Sequence, residues 1–305
     1  MVGTCERIGI PRSILHLEFD GAIERFLRRL GIDVALSPPT NAEIFQAGKR
    51  VVIDELCFPI KIFVGHVVHL ANQAIDRILI PAVVGHVNHR AFPCHPRQRL
   101  PDIVRALGIC DADRLLTPAF RYDRHGLTLN GFRSLAQALG ASGAAASQAL
   151  QTLESERHDT GGCVNHDRLT VAIVGHPYVV EDPWANNHVI QRIERLGCRV
   201  VTRIDHRPTA YAPDNSGLHF SLAARTVALT QAFDQEETID GIVFLLPFNC
   251  GPDGDIASHL ARTTTKPFLT LVLDELQSSA GLVTRLEAFI DLLQGAPILV
   301  GGRST

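Results

Sequence analysis

Leu169-Thr170-Val171-Ala172-Ile173-Val174-Gly175 is an almost unbroken run of apolar, mostly β-branched side chains. A strand with one wet face alternates polar and apolar residues. A continuous run of this length is instead a strand covered on both faces, as in the centre of a parallel sheet. Working outward, a helix is predicted over Trp184–Leu196, a strand over Cys198–Ile204 and a long helix over Leu218–Phe233. A second buried strand, Gly241–Pro247, leads through a turn at Asn249–Asp253 to a helix over Ile256–Arg262. Strand Pro267–Asp274 and helix Ala280–Leu293 follow. Strands alternating with helices are the mark of βαβ units.

The upstream half repeats the alternation. It reads as strand Arg7–Pro11, helix Leu15–Leu30 stopped by Gly31, strand Asp33–Ser37, helix Ala42–Lys49 and a helix opened by Pro59. Strand Arg77–Pro81, a loop rich in His and Pro over Val84–Arg97, helix Leu100–Leu107 and strand Arg114–Thr117 complete it. Ile8-Gly9-Ile10-Pro11 echoes Val174-Gly175-His176-Pro177, and Leu30-Gly31-Ile32-Asp33-Val34 echoes Leu196-Gly197-Cys198-Arg199-Val200. The expected fold class is α/β: two doubly wound, flavodoxin- or Rossmann-like parallel-sheet lobes with a cleft between them. The N-terminal lobe spans 1–150, and a polar linker with Gly161-Gly162 spans 151–167. The C-terminal lobe spans 168–305. The boundary region is expected to begin near Ala141.

The chain has 305 residues, 46% hydrophobic and 20% charged, with a formal net charge of −3. That composition suits a globular protein and offers no basic field for nucleic acid or an anionic membrane. No apolar run approaches the roughly 20 residues of a membrane span, and the N-terminus lacks the apolar core of a signal peptide. The cytoplasm is the expected compartment. Seven cysteines, an odd and sparse set, do not make a disulfide scaffold.

Three of these cysteines stand where chemistry is expected. Cys250 follows a buried strand in Phe248-Asn249-Cys250-Gly251-Pro252-Asp253. Open α/β sheets bind ligands beyond the carboxyl ends of their strands, and a nearby helix N-terminus favours a thiolate. Cys57 in Asp54-Glu55-Leu56-Cys57-Phe58-Pro59 stands just before a helix, and Cys94 lies in Phe92-Pro93-Cys94-His95-Pro96. Each has a proline within two residues, which stiffens its loop. Cys5, Cys110, Cys163 and Cys198 read as small apolar side chains. Cys94 with His86, His89 and His95 has zinc-ligand chemistry, although the spacing matches no common zinc motif. Gly-x-Gly-x-x-Gly and Gly-x-x-x-x-Gly-Lys-Ser/Thr are both absent, so ATP hydrolysis is expected to belong to a partner.

Several stretches resemble the superfamily of 2-hydroxyacyl-CoA dehydratases and benzoyl-CoA reductases, in particular its short relatives associated with CoA-dehydratase activases. They are Ile8-Gly9-Ile10-Pro11-Arg12, Leu36-Ser37-Pro38-Pro39-Thr40-Asn41, Asp54-Glu55-Leu56-Cys57-Phe58-Pro59-Ile60-Lys61, Gly65-His66-Val67, Gly175-His176-Pro177-Tyr178, Phe248-Asn249-Cys250-Gly251-Pro252-Asp253, Asp274-Glu275 and Thr284-Arg285-Leu286-Glu287-Ala288-Phe289. They span nearly the whole chain in family order. The resemblance implies that Cys57, Cys94 and Cys250 hold one [4Fe–4S] cluster between the lobes, leaving one iron without a protein thiolate. It also implies an ATP-dependent activase that donates the electron, and a second dehydratase-like subunit or a homodimer. The reaction implied is one-electron reduction of a thioester, with loss of a hydroxyl group.

Further candidates stand at predicted strand and loop ends beside the cleft. Glu55, Asp274 and Glu275, with Asp54, are expected to move protons or to cap helices. Lys61 is expected to neutralise a cluster or meet a substrate phosphate, and His176 to point into the cleft. The family continues Asp274-Glu275 with His-Thr-Gly-Glu, where this chain has Leu276-Gln277-Ser278-Ser279. That difference favours an alternative, a non-catalytic electron-relay or scaffold subunit. A zinc protein using the same thiolates is a third reading.

Overall fold

The computed structural model describes residues 6–87, 92–123, 126–155, 168–202, 218–275 and 279–295. The N-terminal lobe opens with β1 (Arg7–Ile10), α1 (Leu15–Glu18), α2 (Ala22–Arg29), β2 (Asp33–Leu36), α3 (Ala42–Lys49), α4 (Phe58–Ala71) and β3 (Arg77–Leu79). It continues with β4 (Ala82–His86), α5 (His95–Gln98), α6 (Leu100–Ala106), β5 (Leu115–Leu116), β6 (Ala119–Asp123), β7 (Gly126–Leu127), α7 (Leu129–Ala138) and α8 (Gly143–Ser155). The C-terminal lobe comprises β8 (Thr170–Gly175), α9 (Pro177–Val180), α10 (Val189–Arg195), β9 (Arg199–Val201), α11 (Ser221–Asp234), β10 (Gly241–Pro247), α12 (Gly251–Thr263), β11 (Phe268–Leu273) and α13 (Ser279–Leu293).

The two main sheets are wholly parallel and share one topology. The first runs β2-β1-β3-β5 and the second β9-β8-β10-β11. In each, the strand order reverses next to the lobe's first strand, which puts a switch point between β1 and β3 and another between β8 and β10. Alternate residues of the central strands enter opposite cores. Val171, Ile173, Val243 and Leu245 face the core shared with the N-terminal lobe, while Ala172, Val174, Ile242 and Phe244 face a second cluster. Both faces are therefore covered, as the apolar runs require, and the fold is the two-lobed doubly wound α/β arrangement.

Three local expectations are corrected. The single helix predicted over Leu15–Leu30 is two helices, because Asp20 (φ 49°) and Gly21 (φ 61°) are left-handed. Gly21 N–H bonds His16 O at 2.8 Å and Asp20 N–H reaches Leu17 O, the paired bonds of a Schellman stop. Val84–Arg97, read as loop, contributes to β4 and α5. Ile80 N–H bonds Leu116 O and Ala82 N–H bonds Pro118 O, both at 2.9 Å, so Pro81 and Pro118 leave the main sheet side by side. Beyond them β4 and β6 pair anew in a small sheet with β7. The alanine-rich boundary region from 141 is largely α8, which packs on α2 and α7 and extends five residues into the expected 151–167 linker. The remainder of that linker lies outside the described residues.

The lobes are joined along a packed seam. Phe45 and Phe58 of the first lobe sit against Trp184 of the second, with ring centroids 5.3 and 6.2 Å away. Phe58 N–H bonds Phe248 O at 3.1 Å, while Phe92 exchanges backbone bonds with His219 and Ser221 at 2.8 and 2.9 Å. A buried polar chain crosses the seam as well. His66 Nδ1 meets Ser37 Oγ at 2.8 Å, its Nε2 meets Thr40 Oγ1 at 3.0 Å, and Thr40 donates to Asp182 of the other lobe. Behind the seam, α3 and α4 approach until their backbones touch. A methyl placed on Gly65 would lie 1.9 Å from Ile44 O, and one on Gly48 would lie 2.0 Å from Lys61 O. Among the described residues no helix is long and apolar enough to cross a membrane.

Candidate metal centre

Cys57, Cys94 and Cys250 are each the residue that caps a helix N-terminus, of α4, α5 and α12 respectively. Each helix carries proline in its first turn, where the missing N–H costs no helical bond. The turn expected over Asn249–Asp253 is corrected here: α12 starts at Gly251, so Asp253 lies in its first turn. Asn249 makes the sharp exit from β10 in the left-handed region (φ 59°), a conformation Asn tolerates. Cys250 thus stands beyond the carboxyl end of β10. His176 caps α9 beyond the carboxyl end of β8, and the two flank the C-terminal switch point.

The three thiols lie within electrostatic reach of one another. Burial pushes Cys57 up to about 11, and the Cys94 thiolate and the Asp253 carboxylate push the same way. Burial raises Cys94, and it raises Cys250 furthest, with Asp253, Cys57 and Cys94 adding to the effect. The backbone amides of Ile60, Arg97 and Asp253, each three residues on, pull the respective thiols down without completing a cap hydrogen bond. Three half-buried thiols raised in this way stay protonated unless a cation compensates them, as a metal does.

Around the sulfurs lie His176, a candidate already named from the sequence, and residues that the sequence did not single out. Asp253 is wholly buried, and neither of its carboxylate oxygens has a hydrogen-bond partner. His176, 2% exposed, brings Nε2 to 2.9 Å from Asp253 Oδ1, off the line of a hydrogen bond. Its Nδ1 meets the Tyr178 hydroxyl at 2.5 Å. Burial holds that phenol well above its usual pKa, and Cys94, Cys250 and Cys57 add to the shift. Nε2 of His176, Sγ of Cys250 and a carboxylate oxygen of Asp253 all lie within 4.8 Å of one another. Arg97, one turn beyond Cys94, forms a buried ion pair with Glu18 of α1, donating from Nε at 2.8 Å and from Nη2. That pair ties the Cys94 loop to α1. The spacing Cys250–Asp253, one helical turn, was a legible signal for Asp253 once α12 is started at Gly251.

The other candidates are placed differently. Lys61 is buried, and its ammonium donates to Asp54 O at 2.9 Å and to Glu275 of the other lobe. Lys49 completes a cation pair around Glu275 at 2.6 Å. Burial opposes ionisation of Glu275, but the two lysines win and hold its carboxyl below the usual range. Lys61 and Glu275 are thus engaged with each other as a link between lobes. Glu55 is exposed, and Asp274 is half-buried at the end of β11. Leu276–Ser278 lie outside the described residues, as do Cys5, His89 and Cys163. His86 is buried edge-on to Tyr122 at 5.5 Å, and among the described residues no ligand group joins it or His95 to Cys94. Cys198 is buried and Cys110 half-buried, with thiol pKa raised by burial, as apolar fillers would be.

Thiol, imidazole and carboxylate side chains together make a possible metal-binding group. The three thiols stand on three separate elements and influence one another electrostatically, while Cys250 falls in a tight ligand group with His176 and Asp253 rather than with Cys57 and Cys94. Comparison with known proteins gives few relatives. No curated protein matches the chain. Among solved structures it is similar to a dinucleotide-forming acetyl-coenzyme A synthetase 1 of Ca. Korarchaeum cryptofilum in complex with phosphate and ADP. That likeness has 12% identity, covers 98% of this chain and 68% of the other, and has a TM-score of 0.18. A D-lactate dehydrogenase from Sporolactobacillus sp. is similar at 13% identity over 98% and 97% of the two chains, with a TM-score of 0.16. At such scores neither likeness bears on fold or function. The family comparison is of another order, matching residues 7–204, a stretch that holds Cys57, Cys94 and His176 but ends before Cys250. By that match over more than half its length, the chain belongs to the family of the CoA enzyme activase uncharacterised domain (DUF2229).

Proposed function

We propose that this protein is the cluster-carrying partner of an ATP-dependent activase, in a 2-hydroxyacyl-CoA dehydratase type of system acting on a thioester. The observation that carries the proposal is the placement of Cys57, Cys94 and Cys250 at three proline-opened helix N-termini, drawn from both lobes and electrostatically coupled. When bound, a cluster held by three thiolates supplies a one-electron store and an iron position without a protein thiolate. The chain's own residues do the rest. Helix N-termini offset the negative charge of the thiolates. The Arg97–Glu18 pair positions the Cys94 loop. Exposed Ile53, Phe92 and Phe248 each precede one of the cysteines by four residues or fewer, which suits a donor protein docking over these loops.

A second reading, an electron relay or scaffold without chemistry of its own, is favoured by one observation. Glu275 is bound to Lys49 and Lys61, so that candidate acid is engaged in joining the lobes. Anaerobic iron and sulfide analysis with EPR tests the cluster. The wild type is expected to carry about four irons per chain, and Cys250→Ala to lose most of them while keeping its far-UV spectrum. A chain that stays free of iron and sulfide after anaerobic reconstitution refutes the proposal. Activase-dependent turnover of a CoA thioester then separates the first reading from the second.

A further inference from the structure

Sγ of Cys250, Nε2 of His176 and the Asp253 carboxylate present three electron-rich atoms to one another inside 4.8 Å. His176 and Asp253 are 2% and 0% exposed, and Nε2 and both carboxylate oxygens lack hydrogen-bond partners. Buried polar atoms of native proteins are nearly always satisfied, so three such atoms in one place need an explanation. The contact between Nε2 and Oδ1 is short, at 2.9 Å, yet misaligned for a hydrogen bond. The other ring nitrogen, Nδ1, is engaged by the Tyr178 hydroxyl. Histidine ligands of metals are characteristically held through their second nitrogen in this way, which leaves the Nε2 lone pair for the ion.

Spacing decides what kind of ion the group suits. With bonds of about 2.3 Å to sulfur and about 2.0 Å to nitrogen, two ligands of one tetrahedral ion stand ~3.6 Å apart. Terminal ligands of a cluster stand farther apart, since each binds its own iron. Atoms all within 4.8 Å of one another are close enough to share one ion. Charge agrees: one thiolate and one carboxylate are neutralised by one divalent cation in a buried place.

We propose that Cys250, His176 and Asp253 form a mononuclear site for a divalent ion of the zinc–ferrous class, occupied when the chain carries no cluster. The site shares Cys250 with the cluster proposed above, but it needs neither Cys57 nor Cys94, so the two readings fail separately. Three protein ligands leave a fourth tetrahedral position, and Tyr178 acts as a positioning residue.

Anaerobic titration of the full-length, cluster-free chain with Co2+ tests this, because tetrahedral cobalt–thiolate absorption reports both geometry and sulfur ligation. One Co2+ per chain is expected, and Zn2+ should displace it. Cys57→Ala and Cys94→Ala should keep the spectrum. Cys250→Ala should lose the thiolate band, and His176→Ala should weaken binding at least 100-fold. The near-isosteric Asp253→Asn should weaken it too, and Tyr178→Phe by about 10-fold, as for loss of an outer partner. Far-UV spectra and melts confirm that each variant is folded, and Asp253→Asn and Tyr178→Phe keep the test open should His176→Ala fail to fold. The proposal is overturned if the wild type binds no stoichiometric Co2+, if Cys57→Ala or Cys94→Ala abolishes the thiolate band, or if folded His176→Ala binds Co2+ as the wild type does.

Discussion

Replacing Gly65 by alanine puts one methyl between two helices that already touch. Its carbon would sit 1.9 Å from Ile44 O and 2.8 Å from the Ile44 carbonyl carbon. Ordinary carbon contacts lie at about 3.5 Å or more, so α3 and α4 would have to part by roughly 1.5 Å. No flexible side chain can yield, because the obstructing atoms are backbone. Overpacking of this kind costs about 1–3 kcal/mol and occasionally more. Parting the helices also loosens the packing around Ile44, Phe45 and Phe58, all buried, so a loss of about 3 kcal/mol is expected. Urea unfolding followed by far-UV circular dichroism measures it as a lower midpoint. Gly48→Ala should cost a similar amount, since its methyl would lie 2.0 Å from Lys61 O. The double variant should cost less than the two added together, because helices parted once admit the second methyl more easily. Gly254 in α12 has nothing within 4 Å of its would-be methyl. Its replacement by alanine should stabilise by up to about 1 kcal/mol through helix propensity. A Gly65→Ala midpoint within experimental error of the wild type would refute the close approach of α3 and α4. Because Cys57 caps α4, the proposed cluster's iron after reconstitution should fall in Gly65→Ala while remaining normal in Gly254→Ala.

The remaining predictions concern buried charge and acid. Glu18→Gln leaves the Arg97 guanidinium without its buried carboxylate and should cost about 3–5 kcal/mol; a chemical-denaturation midpoint unchanged from the wild type would show that the pair is solvated. Glu18→Leu combined with Arg97→Met should recover most of that loss, since a well-packed apolar replacement removes both charges together. His66 is held down to about 3 by burial, with His69, Arg12 and His16 acting in the same direction. It is thus neutral in the fold and protonated in the unfolded chain at mildly acid pH. The stability it supports is complete above about pH 6.5 and is lost as pH falls toward about 3. Between pH 6.5 and 4.5 the loss should be about 2–3 kcal/mol, at about 1.4 kcal/mol per unit. Glu275, held below its usual value, adds to the loss only below about pH 4.5, whereas burial raises Asp182, which opposes it. Stability measured against pH should slope less in His66→Gln than in the wild type; parallel curves would mean that His66 is open to water.

How far this could be read from residues in order differs between elements. Gly241–Pro247 was predicted with the bounds it has, because a seven-residue apolar run permits one reading. Leu15–Leu30 was not, because helical periodicity continues across Asp20-Gly21 while the backbone turns left-handed there. The small sheet of β4, β6 and β7 was missed for a related reason. Its strands are short, and they pair only because Pro81 and Pro118 lie side by side after β3 and β5 have already paired.

By itself the sequence determined two parallel sheets, their covered strands, and Cys57 and Cys250 beside helix starts, for these depend on neighbours a few residues away. Only the tertiary structure decided which distant groups meet. Asp253 reaches His176 across 77 positions, and Lys61 reaches Glu275 across 214. Such pairings follow from how the lobes dock. A carboxylate that looks like a free acid in a motif becomes a lobe-joining partner at one site and a buried neighbour of His176 at the other. The physical reason is that periodicity and capping are local energies, whereas the cost of burying charge is set by whatever the fold brings alongside it.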